Sequence, residues 1–480
     1  MLFNSIQFVI FFVVVTAVFF ALPHRFRWLL LLLASCYFYM AFVPVYILIL
    51  FFTIVIDYIA GILLEDSKGK RKKLYLIMSL IANIGVLAVF KYYNFLNENI
   101  TQLLGVFSFS NPIPYLSILL PIGLSFHTFQ AMSYTIEVYR GNHKAERNFG
   151  IYALYVMFYP QLVAGPIERP QNILHQFHQE QFFNYNRFVS GLRLMAWGFF
   201  KKIVVADRLA VIVDTVYKDP ESHTGKTILI AIVCFSFQIF SDFSAYSDIA
   251  IGSARVMGYD LMKNFNNPFV SKNITEFWRR WHISLSTWFN DYLFTPFIVS
   301  KRDWGKLAVV AGLFMTFFFS GIWHGAGWTF IIYGIMHGLA TIYEFLTKKS
   351  RKKLSKKMPR FIYDNISILL TFSFVSISWI FFRSETVQKA FYMFTHLFSD
   401  FMKVNKDGFI FDDLSKRDML LSFVFVSFML FIEKKKEHKD LPLLFNRLPV
   451  VIRWAVYAFF FLLILVFGVF ENKQFIYFQF

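Results

Sequence analysis

The apolar positions of this chain gather in repeated runs rather than in strict alternation. They lie at 6–22, 28–40, 44–64, 74–92, 115–136, 150–164, 187–205, 226–241, 243–257, 281–298, 307–323, 328–346, 362–382, 418–432 and 450–470. Several come close to the roughly 20 residues that the hydrocarbon core of a bilayer demands. The pattern predicts an all-α polytopic membrane protein; the ten-residue alternating segments of a membrane β-barrel are not seen. Some runs are short, and broken apolar segments are tolerated at membrane depth only where protein or a water-filled cavity covers the freed backbone. "YPQLVAGPIERP" (159–170), with Pro160, Pro166 and Pro170 around Gly165, is the strongest case and reads as a broken or re-entrant element.

Composition agrees with the pattern. Of 480 residues, 57% are hydrophobic and 16% charged, against an apolar share of roughly 45–50% in soluble domains. The net charge of +18 is nearly all concentrated in three places: five cations at 67–73, eight at 348–360 and four at 434–439. Each lies between apolar spans, which is the positive-inside pattern and places these loops in the cytoplasm. A folded basic surface for nucleic acid is not available between the spans. Counting outward from 348–360, residues 383–417 form an external loop and the C-terminal "FIYFQF" lies outside. Cys36 and Cys234 stand inside apolar runs and read as small buried hydrophobes, with neither metal-site nor disulfide spacing. The N-terminal run has basic residues after it and none before it, so it reads as a first span and not as a removed signal. No internal repeat and no separate soluble domain emerge, so residues 1–480 read as one transmembrane domain, with core motifs in about 115–346 and C-terminal helices in 362–480.

Polar residues collect in the middle third. Gln238, Ser241 and Asp242 share one helical face at i, i+3 and i+4, with Asp248 beyond them. Carboxylates in apolar segments face cavities or bond across helices. In "NITEFWRRWHISLSTWFNDYLF" (273–294), Thr275 is a candidate cap for a helix that carries Trp281, Leu285, Trp288 and Tyr292 on one stripe. Arg279, His282 and Ser286 follow on an adjacent face, which is either an interfacial face or one that meets a polar ligand; Asp291 completes the candidates here. His324 lies in "FFFSGIWHGAGWTF" (318–331), and His337 follows 13 residues later. On one helix the two would point roughly 140° apart, at 100° per residue, so they could meet only if Gly325-Ala326-Gly327 breaks the helix. No metal-ligand spacing accompanies them. A neutral imidazole can take a proton from a hydroxyl, which suits acyl transfer to an alcohol. The alternative is a hydrogen-bonded structural histidine. No G-x-S-x-G elbow is present, so a covalent acyl-enzyme is not indicated.

Taken in order, "LPIGLSFHTFQAMSYTIEVYRG" (120–141), "PQLVAGPIERP", "FQIFSDFSAYSDIAIG", "FWRRWHISLSTWFNDYLF", "GIWHGAGWTFIIYGIMHG", "WIFFRS" and "FIYFQF" resemble the membrane-bound O-acyltransferase family, in its bacterial alginate O-acetyltransferase-like branch. The resemblance covers nearly the whole chain. It implies a ring of roughly 11–14 tilted and re-entrant helices around a thin central catalytic region. It implies His324 as catalytic histidine, in Trp323-His324-Gly325, and His282 as second signature histidine and a candidate catalytic residue. Trp323, Gln238, Asp242, Arg279, Ser286 and Asp291 become candidates for donor binding or cavity lining. It further implies acetyl-coenzyme A as cytoplasmic acyl donor, no bound cofactor or metal, an exported polysaccharide as acceptor, a periplasmic partner of the serine-glycine-asparagine-histidine (SGNH) hydrolase-like type, and residence in the bacterial inner membrane. Three departures from the branch pattern bear on acceptor and partner: Asn290 in place of arginine, "TPFIVSKRDWGK" (295–306) in place of a glycine-rich stretch, and Phe126-His127 in place of phenylalanine-tyrosine.

Three rival readings make distinct demands. A transporter needs symmetry-related halves with paired broken helices, which the sequence lacks. D-Alanyl transfer from a carrier protein to teichoic acid needs a cytoplasmic carrier-docking surface. A membrane scaffold has no use for this density of intramembrane polar residues.

Overall fold

The computed structural model describes residues 1–117, 121–399, 416–438, 445–470 and 474–478. All the longer regular elements among them are helices, and no strand occurs among these residues. Seven helices in the described residues are long and apolar enough to cross a membrane: Pro44–Asp66, Gly69–Val106, Gly225–Val256, Lys306–His324, Trp328–Lys357, Arg360–Arg383 and Val450–Phe467. The chain is a multi-span membrane protein.

Several boundaries differ from the apolar pattern, each for a local reason. The runs 226–241 and 243–257 form one helix, Gly225–Val256. The polar pair at their junction does not break it, because both side chains find partners. Ser241 Oγ donates to the Phe237 carbonyl at 2.6 Å, and Asp242 accepts from Lys202 Nζ at 2.6 Å. The run 115–136 is helical only from Leu124, after Pro121 and a left-handed Gly123 (φ 78°); residues 118–120 lie outside the described residues.

The run 281–298 is not one helix. Helix Ile274–Arg280 stops, His282 takes a left-handed conformation (φ 42°), and Ile283–Phe289, a π-turn Asn290–Phe294 and Thr295–Ser300 follow. The expected stripe and polar face are therefore split between elements. Asn273, not Thr275, caps the first helix: its Oδ1 accepts from Glu276 N at 2.8 Å. Thr275 Oγ1 instead donates to Glu344 at 2.8 Å.

The basic run at 348–357 is helical, not a loop, because lysine and arginine are good helix formers; Trp328–Lys357 ends just before Pro359. The run at 434–439 is helical to His438, and Lys439 lies outside the described residues. In the expected external loop 383–417, Val387–Thr395 is helical and residues 400–415 lie outside the described residues.

The chain divides into two compact units, one built mainly on residues 1–195 and 247–262, the other on 196–246 and 263–479. In the first, the proline-rich stretch is broken as the sequence suggests. Helix Phe149–Met157 ends, and residues 158–169 run as turns and extended chain, all buried, before helix Pro170–His178. Side chains bond the irregular backbone, as burial requires. Gln161 Nε2 donates to the Tyr155 carbonyl at 3.0 Å, the Tyr155 hydroxyl donates to the Glu168 carbonyl at 3.1 Å, and Glu168 Oε1 accepts from Met262 N at 2.5 Å. Asp57 is likewise satisfied, accepting from Ser79 Oγ at 2.6 Å and Asn83 Nδ2 at 2.9 Å.

The second unit is built on a hairpin of Lys306–His324 and Trp328–Lys357, joined by Gly325-Ala326-Gly327. The two helices cross at Gly321 and Gly334. A Cβ on Gly334 would lie 2.5 Å from the Phe317 carbonyl oxygen and 2.9 Å from Gly321 Cα. Backbone cannot yield there, so glycine is required. Gly334→Val forces the helices apart at a cost of about 1–3 kcal/mol or more. The expected result is a lowered unfolding midpoint in detergent, and a midpoint equal to the parent's would rule out the close crossing.

Candidate active site

His324 is the last residue of its helix and is 4% exposed. The chain leaves the helix through an extended Gly325 (φ −164°), where a Cβ would lie 2.1 Å from the Phe330 ring. The break that the glycines allow is present. It lets the imidazole sit among aromatic rings: Trp323 at 5.1 Å, Tyr333 at 5.8 Å and Phe382 at 5.2 Å between centroids. Tyr333 packs against both His324 and His337, with centroids 5.8 Å and 4.7 Å away.

His282 is fully buried. Asn264, 18 residues earlier, holds its turn. The Asn264 backbone carbonyl accepts from Ile283 N at 2.9 Å, and its Oδ1 accepts from Ser284 N at 3.2 Å and Ser284 Oγ at 2.9 Å. A backbone N–H can only donate, so the atom facing it is the amide oxygen. His282 Nδ1 lies 3.1 Å from that oxygen and therefore donates to it. The neutral ring then carries its lone pair at Nε2. The ring packs edge-on to Phe243 at 4.7 Å and against Trp323 at 6.0 Å. Trp323 thus stands between His282 and His324, and these three sequence candidates come together.

Arg279 and Ser286 line a cavity of about 910 Å³. Its wall includes Thr316, Phe317 and Ser320 on the histidine helix, Trp278 and Asn290, and then Glu344, Lys348, Arg351 and Lys352 on the partner helix of the hairpin. Along the hairpin it reaches from the basic run to Ser320, one turn before His324. Glu344 secures part of this wall by accepting from Ile274 N at 2.6 Å, Thr275 N at 3.0 Å and Thr275 Oγ1 at 2.8 Å. A carboxylate there satisfies the orphan donors of a helix start.

The remaining candidates lie elsewhere. Asp242 does not line this cavity: it binds Lys202 and accepts from Ile476 N at 2.6 Å. Gln238 is buried on the same helix, and its Oε1 has no hydrogen-bond partner among the described residues. Asp291 is exposed and accepts from Asn290 Nδ2 at 3.0 Å. Among the departures from the branch pattern, Asn290 is at the cavity wall, whereas His127 is buried in the first unit against Tyr39. Sequence reasoning passed over Asn264, Trp278, Tyr333 and Glu344. Their one signal was polar or aromatic character near the histidine motifs, and their roles depend on contacts across long chain separations.

An all-helical, multi-span chain thus carries buried histidines on either side of a tryptophan, with a cavity holding charged and polar side chains one turn away. Comparison with known proteins defines it further. Residues 143–383 match the family model described as MBOAT, membrane-bound O-acyltransferase family. The chain is 36% identical over 377 residues to the probable alginate O-acetylase AlgI of Pseudomonas aeruginosa, covering 78% of this chain and 70% of that one. It is 33% identical over 387 residues to a peptidoglycan O-acetyltransferase of Helicobacter pylori, covering 75% and 71%. It is 30% identical over 277 residues to a teichoic acid D-alanyltransferase of Bacillus subtilis, covering 55% and 69%. The chain belongs to the membrane-bound O-acyltransferase family and is an O-acyltransferase.

Proposed function

We propose that the protein takes an acetyl group from acetyl-coenzyme A on the cytoplasmic side of a bacterial inner membrane and delivers it for O-acetylation of an exported polysaccharide. The observation that carries this reading is the cavity, which has a basic wall at Lys348, Arg351 and Lys352 and reaches to within a turn of His324. Cations there suit the phosphates of a coenzyme A thioester, and the positive-inside rule puts that end in the cytoplasm. The relatives support the acceptor class, since one is named for alginate and another for peptidoglycan.

In the reaction, His324 accepts the proton of an acceptor hydroxyl as its oxygen attacks the thioester carbonyl carbon. The new C–O bond forms, the C–S bond breaks, and the departing thiolate takes the proton back from the imidazolium. His282 supports the site through Trp323. With the basic segments 67–73, 348–360 and 434–439 in the cytoplasm, the C-terminus is external, where an SGNH hydrolase-like partner would complete delivery to the glycan.

Purified protein in liposomes, given acetyl-coenzyme A labelled in the acetyl group, tests the donor. Arg279→Glu combined with Lys352→Glu is expected to raise the donor KM roughly tenfold, about 1.4 kcal/mol, with a smaller effect on kcat. An unchanged KM would remove the cavity from the donor path. The teichoic acid relative keeps one alternative in the test: transfer from carrier-bound D-alanine without transfer from acetyl-coenzyme A would replace the acetyl reading.

A further inference from the structure

The buried His337 has no part in the chemistry above, and its surroundings assign it another one. It sits on Trp328–Lys357 and is fully buried. Trp278 Nε1 donates to His337 Nδ1 at 3.1 Å. An indole N–H can only donate, so Nδ1 holds the lone pair and the proton of the neutral ring is on Nε2. Nε2 lies 2.9 Å from Ser378 Oγ, and that hydroxyl itself donates to the Val375 carbonyl at 2.7 Å. Ser378 Oγ therefore accepts from Nε2. The chain of bonds has one direction throughout, from Trp278 through His337 and Ser378 to a backbone carbonyl. Both imidazole nitrogens are committed, so the ring has no lone pair left for a substrate proton. What it can do is hold its neighbours. Trp278 lines the cavity beside Phe317 and Ser320, and its ring meets His337 edge-on at 5.1 Å. On the other side, Tyr333 packs against His337 at 4.7 Å and against His324 at 5.8 Å.

We propose that His337 is a positioning residue for acyl transfer. It fixes the indole of Trp278 as the wall of the donor cavity. This rests on the reading of His324 and the cavity as the acyl-transfer site. An acceptor at the Nδ1 position is what Trp278 needs, and asparagine can supply one from its side-chain oxygen, whereas phenylalanine keeps the ring but has no acceptor.

The test is kinetic, in liposomes with labelled acetyl-coenzyme A, using protein of matched abundance and monodispersity. His337→Phe and Trp278→Phe should each lower kcat/KM roughly tenfold, mainly through the donor KM. The double variant should be no worse than either single one, because both remove the same interaction. His337→Asn should recover most of the loss, and the pH profile of kcat/KM should keep its wild-type shape in all of them. Should His337→Phe fail to fold, the comparison of Trp278→Phe with its combination with His337→Asn carries the same test, since asparagine then has no donor to receive and adds no further loss. Additive losses, no rescue by asparagine, or a displaced pH profile would overturn the proposal. A wild-type protein without turnover, or a silent His324→Ala, would remove the site reading and this inference with it. Normal loss at His324→Ala with no effect at His337 would remove this inference alone.

Discussion

Replacing His324 with glutamine lowers acyl transfer by about 10²–10⁴-fold, the usual contribution of a positioned general base, while the protein still inserts. Glutamine is the better first variant because it leaves little empty space inside the aromatic enclosure of Trp323, Tyr333 and Phe382. Alanine would open a cavity there and mix a packing loss with the chemical one. The readout is acetyl content of the exported polysaccharide at matched membrane abundance, with an unfolding midpoint in detergent to show that packing survives. His282→Gln provides the contrast. It breaks the bond to Asn264 at a left-handed turn, so stability falls together with activity. If the His324 variant keeps acetylating and the His282 variant is inactive but stable, the two histidines exchange roles.

Some apolar runs, 307–323 and 328–346 among them, report membrane spans directly, and the helices of the hairpin appear close to where hydropathy puts them. The break at Gly325-Ala326-Gly327 was legible too, since three small residues remove both side-chain packing and helix propensity. The segment around His282 was not. Its composition reads as one amphipathic helix, and the turn at His282 exists because Asn264 supplies two acceptor oxygens to residues 282–284 from 18 residues away. A periodic pattern carries no record of such a clasp. Glu344 is similar: it caps a helix that begins 70 residues earlier in the chain. The face shared by Gln238, Ser241 and Asp242 was visible as polar, but the partners of Asp242 come from Phe200–Ala206 and from Ile476, both distant in sequence.

Those partners give the second large effect, with Lys202→Met expected to be far more damaging than Asp242→Asn. Lys202 Nζ lies 2.6 Å from Asp242 Oδ1 and 2.9 Å from Asp207 Oδ1, and all three residues are buried. It also lies 4.5 Å from the Phe475 ring centroid. The cation is shared by two carboxylates. Removing it leaves two buried anions facing each other, and uncompensated buried charge costs about 3–5 kcal/mol. Asp242→Asn instead leaves a neutral Lys202–Asp207 pair, and the asparagine oxygen can still accept from Ile476 N, which now sits 2.6 Å from Asp242 Oδ2. The expected midpoints in detergent therefore fall in the order wild type, Asp242→Asn, Lys202→Met. Activity should follow the same order, because the turn after Asp242 carries Phe243 against His282 and Tyr246 against Phe475 at 4.8 Å. Equal midpoints for Lys202→Met and wild type would show that the cluster contributes nothing to the fold. A stable Lys202→Met protein without activity would instead move these charges from support of the site into its chemistry.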